Sequence, residues 1–353
     1  MALIALAADK GAPGVTTAAV ALGAVWPRPV LVAECDQAGG DLVYRLPAAP
    51  GTADGPQGHA ADGGMLNPSR GLLSLAATAR RGLRPDQIAE HCQRLVGGLD
   101  VLVGTTNAEQ AQAMTWLWGP LGRAFAGLDP VDVIADCGRL GAGTPLTELM
   151  HEADMVVLLT RATLEQVAHL RERVAALTSE LRGGPPVGVL VLADPRDFRG
   201  SIAEVDRILA GVRGRARPMD AGAQQGPPPP DVTVLGGLAL DPKGAELLSG
   251  RWGGRLDRSL LIRSAREVAG ELAGRLASAR PALGAAHDRG GHDVPPPYRP
   301  APEPPPAPGP HVPPAVQAPP GEGLSADGQV PASERTPPTG QVPAGGRHEE
   351  GRR

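Results

Sequence analysis

Lysine is almost absent from this chain of 353 residues, which contains only Lys10 and Lys243 among 34 basic residues. Arginine supplies nearly all of the remaining positive charge, a bias typical of proteins from GC-rich genomes. Where arginine is used so generally, a lysine within a glycine-rich segment is expected to serve through its compact ammonium group. Lys10 lies in such a segment, and we therefore expect it to have a specific role.

Other scarce features exclude several classes of protein. The three cysteines, Cys35, Cys92 and Cys137, have neither metal-ligand spacing nor an even number for pairing, which predicts a reduced, cytoplasmic environment. The net charge of −4 is spread without a basic block, so there is no strong nucleic-acid signal. No apolar run reaches about 18 residues, and the chain opens on a strand pattern, so we expect neither an integral membrane segment nor a signal peptide.

Apolar runs alternate with helical patterns over residues 1–283. The runs predict strands at Leu3–Ala8, Val30–Glu34, Val101–Gly104, Val131–Asp136, Met155–Thr160, Val187–Leu192 and Val232–Leu235. Helices are predicted at 18–26, 164–181, 201–212 and 258–279. The strands are almost continuously apolar, as in a sheet that is covered on both faces. The sequence therefore predicts an α/β fold, with a mostly parallel twisted sheet and helices on both faces, in one nucleotide-binding domain.

Proline and glycine mark the parts of the chain that interrupt or follow this domain. Residues 47–70 and 214–231 are predicted to be surface loops. Residues 284–353 contain very few large apolar side chains, so we expect a disordered tail that cannot bury enough surface to offset its chain entropy. The proline-rich stretches that begin at Pro295 would suit a partner with an aromatic groove, and the alternative is a solubilising tether.

A glycine-rich loop after the first predicted strand is the strongest motif in the sequence. It consists of Lys10, Gly11, Ala12, Pro13, Gly14, Val15, Thr16 and Thr17. A strand, a glycine-rich loop and a helix that begins with hydroxyl side chains form the layout of a phosphate-binding loop, in which backbone N–H groups and the positive helix end face an anion. The alternative is a tight strand-to-helix turn with a threonine N-cap.

Individual positions of the loop have distinct expected roles. Gly11 and Gly14 let the backbone approach a phosphate without a Cβ clash. Thr16 lies where a P-loop hydroxyl coordinates Mg²⁺, and Thr17 would meet an inner phosphate. Val15, however, occupies the position at which the P-loop pattern has lysine. The loop therefore predicts a nucleotide site that lacks one of its main phosphate contacts.

Two aspartates follow other predicted strands at the edge where α/β sheets bind ligands. Asp36 comes after the second strand and would orient a water molecule, or else cap the turn at Gly39 and Gly40. Asp136 ends an apolar strand and precedes Cys137 and Gly138, in the form of a Walker B element that holds Mg²⁺ through water. Strand-ending aspartates are common, so the order of all three motifs carries the prediction rather than any one of them.

With these motifs in order, the chain resembles the MinD/ParA family of P-loop ATPases, including its CpaE/TadZ-like pilus branch. The family loop reads Lys-Gly-Gly-x-Gly-Lys-Thr-Thr, so Lys10 matches its signature lysine and Val15 departs from its P-loop lysine. The segment Glu34-Cys35-Asp36 matches the family's Asp-x-Asp, and Asp136 matches its Walker B aspartate. The resemblance covers residues 1 to about 283 and excludes the tail.

The resemblance implies ATP and Mg²⁺ as cofactors, with Lys10 and Asp36 as catalytic residues. In the family the signature lysine reaches the phosphates of the partner subunit, so Lys10 would complete the site of a second copy in a homodimer. Asp194 stands near the position of a base-reading asparagine and would contact the base. An ammonium contact to phosphate contributes about 1.5–3 kcal/mol, and Val15 supplies none of it.

The resemblance further implies a positioning or assembly factor of the chromosome-partitioning, cell-division or pilus-localisation type, which acts on an unidentified protein partner. The missing P-loop lysine predicts weak or absent ATP hydrolysis. The alternative is a pseudo-ATPase scaffold that does not bind nucleotide. Val15 favours this alternative, whereas the retained Lys10, Thr16 and Asp136 favour nucleotide binding.

Overall fold

The computed structural model describes residues 1–11, 14–50, 64–216, 227–251 and 255–287, and for 213–216 and 279–287 it describes the backbone alone. All of these residues lie within one compact unit, Met1–Gly291. Ala12 and Pro13 of the glycine-rich loop lie outside the described residues. So do the proline-rich stretches from Pro295 onwards.

The described residues form strands and helices in alternation. The strands are β1 (Leu3–Ala8), β2 (Val30–Glu34), β3 (Gln93–Arg94), β4 (Asp100–Leu102), β5 (Asp132–Arg139), β6 (Met155–Arg161), β7 (Val187–Ala193) and β8 (Val232–Ala239). The helices are α1 (Val15–Gly23), α2 (Leu42–Arg45), α3 (Leu72–Ala79), α4 (Pro85–His91), α5 (Ala108–Ala113), α6 (Trp118–Ala126), α7 (Thr147–His151), α8 (Leu164–Glu180), α9 (Phe198–Ala216), α10 (Pro242–Leu248) and α11 (Leu260–His287). Within the described ranges, no helix is both long and apolar enough to cross a membrane.

The strands form one sheet of eight, in the order β3-β4-β2-β5-β1-β6-β7-β8. Every neighbouring pair is parallel except β3 and β4, which pair antiparallel at one edge. β1 lies between β5 and β6 near the centre. Because parallel strands end at a common edge, the loops after β1, β2 and β5 are neighbours there. The predicted mostly parallel sheet is confirmed.

Two apolar layers cover the sheet because side chains alternate between its faces. Leu3 and Ala5 of β1 join a core formed with α3, α4, α6, α7, α8 and α9. Ile4 and Leu6 of the same strand join a second core formed with α1, α10 and α11. All four side chains are at most 1% exposed. Both faces of the sheet are therefore buried, which explains the continuously apolar strands and confirms the prediction of helices on both faces.

Several element boundaries differ from the sequence-based prediction. α1 begins at Val15, before the predicted residue 18, because Gly14 forms its N-cap in the left-handed region, with φ of 91°. The last helix continues to His287, beyond the predicted end at 279. The predictions did not include β3, whose two residues form a short antiparallel edge. These elements depend on turn geometry and edge pairing, which apolar periodicity does not report.

Candidate functional site

The sheet brings the three predicted motifs together at one edge. β5 lies between β2 and β1, and Asp136 is in register with Glu34 on one side and with Leu6 on the other. The glycine-rich loop follows β1, and Asp36 follows β2. Asp136 lies inside β5, which continues to Arg139, so the prediction that it ends the strand is wrong. It nevertheless meets the segments that follow β1 and β2 at the carboxyl edge of three adjacent strands, where doubly covered α/β sheets bind their ligands.

The glycine-rich loop contains two glycines in the left-handed region where it is described. Gly11 and Gly14 have φ of 84° and 91°, which non-glycine residues rarely adopt. Gly14 is the N-cap of α1 without a side-chain cap, so the alternative of a threonine N-cap is wrong. α1 carries no acidic residue in its first turn. Its N-terminal N–H groups and positive dipole end therefore have no carboxylate of their own helix to compensate them.

Helix α8 holds the start of the loop at two points. Arg173 donates to Asp9 Oδ1 at 2.6 Å, and both side chains are largely buried. The same guanidinium donates to the carbonyl oxygens of Leu140 and Gly141 after β5. Gln166 packs on Gly11 so closely that a Cβ at that glycine would lie 1.9 Å from Gln166 Nε2. The loop is therefore held against α8, and a side chain at Gly11 would be strained by its positive φ and would require Gln166 to move.

Val15 and Lys10, the two loop residues on which the sequence-based prediction depends, differ in their exposure. Val15 is only 6% exposed and packs in the core that α1 shares with α11, so nothing apolar projects from that position over the loop. Lys10 is exposed, and among the described residues it contacts no carboxylate. Its ammonium is thus available to a ligand, whereas position 15 contributes packing alone.

Asp136 is a buried carboxylate with one unused oxygen. Its Oδ1 accepts the Gly138 N–H at 3.0 Å, and its Oδ2 has no hydrogen-bond partner although the residue is 1% exposed. Burial raises the pKa of Asp136 to about 7, and the nearby Thr16 hydroxyl opposes that shift. An unpartnered buried oxygen beside a threonine hydroxyl is suited to Mg²⁺ and its water ligands.

No group of three or more His, Cys, Asp or Glu side chains within the described ranges is arranged to hold a metal ion. At phosphate sites Mg²⁺ binds through one or two protein oxygens, with phosphates and water as its remaining ligands. Thr16 and Asp136 are the protein groups that fit such a site.

Asp36 lies against the same strand end and has two kinds of contact. Its Oδ1 accepts the Ala38 N–H at 2.8 Å, and its carbonyl oxygen accepts the Gly39 N–H at 3.2 Å, so it caps the turn after β2 as the alternative interpretation predicted. Burial raises the pKa of Asp36, and the charge of Arg139 opposes that shift. Its carboxylate also packs on Gly138, where a Cβ would lie 2.0 Å from Asp36 Cγ. Turn capping leaves the second oxygen at the site edge beside Asp136.

Glu34 has a structural role that the motif resemblance did not predict. Its Oε1 accepts N–H groups from Asp41 and Leu42, at 2.8 and 3.1 Å, and its Oε2 accepts the Gly104 N–H at 2.9 Å. Burial raises the pKa of Glu34, and its backbone hydrogen bonds oppose that shift. The carboxylate ties the loop after β2 to the end of β4. A glutamate at the first carboxylate position is thus explained by its longer reach.

Arg45, at the end of α2, is the second residue that sequence analysis missed. Its Nη2 lies 3.1 Å from both Thr17 Oγ1 and Ser249 Oγ, and its Nη1 lies 3.3 Å from both carboxylate oxygens of Asp41. A guanidinium therefore touches the first turn of α1. The i,i+4 spacing of Asp41 and Arg45 was the available sequence signal, but it indicates only a helical ion pair.

Asp194 is placed differently from the other predicted residues. It is exposed after β7, a strand that β6 separates from β1. Its Oδ1 accepts the Arg196 N–H at 2.9 Å and so caps a short turn. No contact between Asp194 and the glycine-rich loop is present among the described residues, and its role toward a base stays a prediction.

Comparison with solved structures identifies the architecture. A ParA family ATPase from Chlorobium tepidum TLS matches with a TM-score of 0.53 and 14% sequence identity, over 76% of this chain and 98% of the other. The chain has the ParA fold. The cell division ATPase MinD of Pyrococcus furiosus matches with a TM-score of 0.49 and 14% identity, over 77% and 98% of the two chains. No protein-family model and no curated protein sequence matches this chain.

The ParA fold agrees with the architecture expected from the motifs. The match covers 98% of the ParA family ATPase from Chlorobium tepidum TLS. At 14% identity the likeness concerns the fold, and the function must be argued from the site itself.

Proposed function

We propose that this chain binds a nucleoside triphosphate with Mg²⁺ at the carboxyl edge of its sheet and acts as a nucleotide-dependent homodimer that positions or assembles a protein partner. The observation that carries this proposal is the unpartnered Asp136 Oδ2. Thr16 lies near the same carboxyl group, in a helix whose N-cap is a left-handed glycine. A buried carboxylate oxygen without a partner is unfavourable unless a ligand or water binds it, which supports a bound cation at this edge.

The roles of the residues follow from their places at this edge. The backbone N–H groups after Gly14 would bind phosphate oxygens together with the dipole of α1. Thr16 and Asp136 would hold Mg²⁺, which neutralises phosphate charge when it is bound. Asp36 would orient a water molecule with the carboxylate oxygen that does not cap its turn. The exposed Lys10 would reach phosphates in the second copy of the chain.

Val15 sets the expected level of activity. The ammonium that is missing at this position contributes about 1.5–3 kcal/mol, so phosphate affinity would fall by roughly one to two powers of ten relative to a loop that contains it. Stabilisation of the transferring phosphoryl group would fall as well. We therefore propose nucleotide binding with weak or absent ATP hydrolysis, and a working cycle in which binding rather than turnover changes the dimer.

The second candidate is a pseudo-ATPase scaffold that does not bind nucleotide, and the burial of Val15 favours it. A valine that packs in the core satisfies the needs of a strand-to-helix turn without any ligand. The proline-rich segment from 284 would serve either candidate as a tether or as a ligand for an aromatic groove on a partner.

Nucleotide-dependent stability separates the two candidates. A ligand at 100 times its dissociation constant stabilises a folded protein by about 2.7 kcal/mol. We expect Mg²⁺ with ATP, ADP or GTP to raise the unfolding temperature of the full chain. Thr16→Val should reduce the rise that depends on Mg²⁺, whereas Thr233→Val, a matched change on β8, should leave it unchanged. The absence of any shift at millimolar nucleotide would contradict the proposal and support the scaffold.

Two further variants test the proposed roles of positions 15 and 10 in nucleotide binding and dimerisation. Val15→Lys should raise nucleotide affinity or phosphate release, because it restores the ammonium at the start of α1. Lys10→Ala should leave monomer folding intact and reduce nucleotide-dependent dimerisation, measured by light scattering after size-exclusion chromatography. A dimer that forms equally well with and without nucleotide, and with and without Lys10, would support the scaffold alternative.

A further inference from the structure

We propose that Arg45 supplies a cation for the inner phosphate of the bound nucleotide, in a loop where Val15 replaces the P-loop lysine. This inference rests on the proposed nucleotide site and names a residue outside the loop motif. Arg45 Nη2 lies 3.1 Å from Thr17 Oγ1, so its guanidinium already sits at the first turn of α1. Among the described residues, no other cationic side chain donates a hydrogen bond to a residue of the loop from Lys10 to Thr17.

The charge around Arg45 favours an anionic ligand. The N-terminal end of a helix carries a partial positive charge, and a cation beside it is repelled unless an anion lies near both. α1 has no acidic residue in its first turn. Arg45 forms an ion pair with the carboxylate of Asp41. The Asp41 side chain is 54% exposed, so solvent screening makes this ion pair weak. A phosphate at the first turn would relieve this repulsion, because it attracts the helix end and the guanidinium together.

The two threonines indicate which phosphate Arg45 would contact. In the proposed nucleotide site, Thr16 is assigned to Mg²⁺ together with Asp136. Thr17 is directed instead to Arg45, which lies on α2 and also contacts Ser249 of the segment after α10. With Mg²⁺ and the outer phosphates on the side of Thr16, the phosphate nearest Thr17 is the inner one.

Arg45 also has room to turn toward a ligand. Its side chain is 31% exposed, so part of it is open to solvent. The guanidinium is planar and presents five donors, so it can keep Thr17 while it binds a phosphate oxygen. No core side chain has to move, because none of its hydrogen-bond partners is apolar or fully buried.

The test compares nucleotide affinities of full-length variants by isothermal titration calorimetry. Arg45→Met should weaken Mg²⁺-ADP and a non-hydrolysable Mg²⁺-ATP analogue by the same factor, about tenfold or more, because both contain the inner phosphate. Arg45→Lys should recover part of the loss. Arg275→Met is the matched control, since Arg275 forms an i,i+4 pair with Glu271 on α11, and it should leave both affinities unchanged.

Each alternative role of Arg45 predicts a different result. If Arg45 only joins α2 to α1 and α10, Arg45→Met lowers the unfolding temperature and leaves both affinities unchanged, which overturns the inference alone. A loss confined to the triphosphate would overturn it as well, because the contact would then be to the outer phosphate. Failure of the unmodified chain to bind either nucleotide overturns the proposed function together with this inference.

Discussion

The buried Asp136 makes the stability of the ligand-free chain depend on pH in a direction that can be tested. Burial raises the pKa of Asp136 from 3.8 to about 7. Between these two values the folded chain keeps a proton that the unfolded chain has released. The free energy of unfolding therefore falls as the pH rises through this range. A shift of about three pKa units corresponds to about 4 kcal/mol, a large share of the 5–15 kcal/mol that stabilises a typical domain.

Asp136→Asn isolates this effect. Asparagine cannot ionise, and its carbonyl oxygen can still accept the Gly138 N–H that now binds Oδ1. We expect the stability of the variant relative to the original chain to rise by about 2.5–3 kcal/mol between pH 5 and pH 8, because about two of the three pKa units lie within this range. Urea unfolding at both pH values, in the presence of a chelator and without nucleotide, measures the difference.

An exposed carboxyl provides the control for this experiment. Asp197→Asn, in the short turn before α9, should change the free energy of unfolding by the same small amount at pH 5 and pH 8. If Asp136→Asn behaves in the same way, with a difference that does not depend on pH, the carboxyl of Asp136 is not desolvated. The argument that its unpartnered oxygen awaits a cation would then be refuted.

Three other substitutions test how the site is held. Glu34→Gln should lower the free energy of unfolding by about 2 kcal/mol in urea titrations, because an amide NH₂ would face backbone N–H donors, and an unchanged value would contradict the anchoring role. Arg173→Met should speed amide hydrogen exchange around Asp9 and weaken nucleotide binding, and equal exchange would show that α8 does not hold the loop. Gly138→Ala should displace Asp36 and reduce any phosphate release, because the new Cβ would lie 2.0 Å from its carboxyl carbon. Gly143→Ala is its control, since that glycine has a similar positive φ and open space around it.

Apolar runs and loop chemistry were sufficient to predict the sheet and the edge where the site lies. The strands around Leu3–Ala8 and Val30–Glu34 are buried on both faces, and such burial leaves a continuous apolar record in the sequence. The glycine-rich loop, Asp36 and Asp136 are each near the carboxyl end of a predicted strand. Because parallel strands share their direction, these positions were sufficient to predict that the three motifs meet at one edge of the sheet.

The contacts that cross between elements could not be predicted in the same way. Arg45 reaches Thr17 only because α2 turns back toward α1, and nothing in the sequence near Arg45 reports that approach. Glu34 was interpreted as part of an acidic pair, while the structure uses it to bind backbone N–H groups from two loops. Such roles depend on three-dimensional placement, and a residue type at a given spacing does not encode it.

The contacts of α8 with the glycine-rich loop connect the candidate site to the outer surface of the helical layer that contains α8. Gln166 presses on Gly11, and Arg173, two turns further along, holds Asp9. A loop that shifts to admit a phosphate must either break one of these contacts or tilt the helix with it. The helix also packs on α9, which forms the neighbouring part of that layer. A ligand bound at the site would thus change the shape of the surface formed by α8 and α9, which the ligand does not contact. A protein partner could bind that surface differently in the two states.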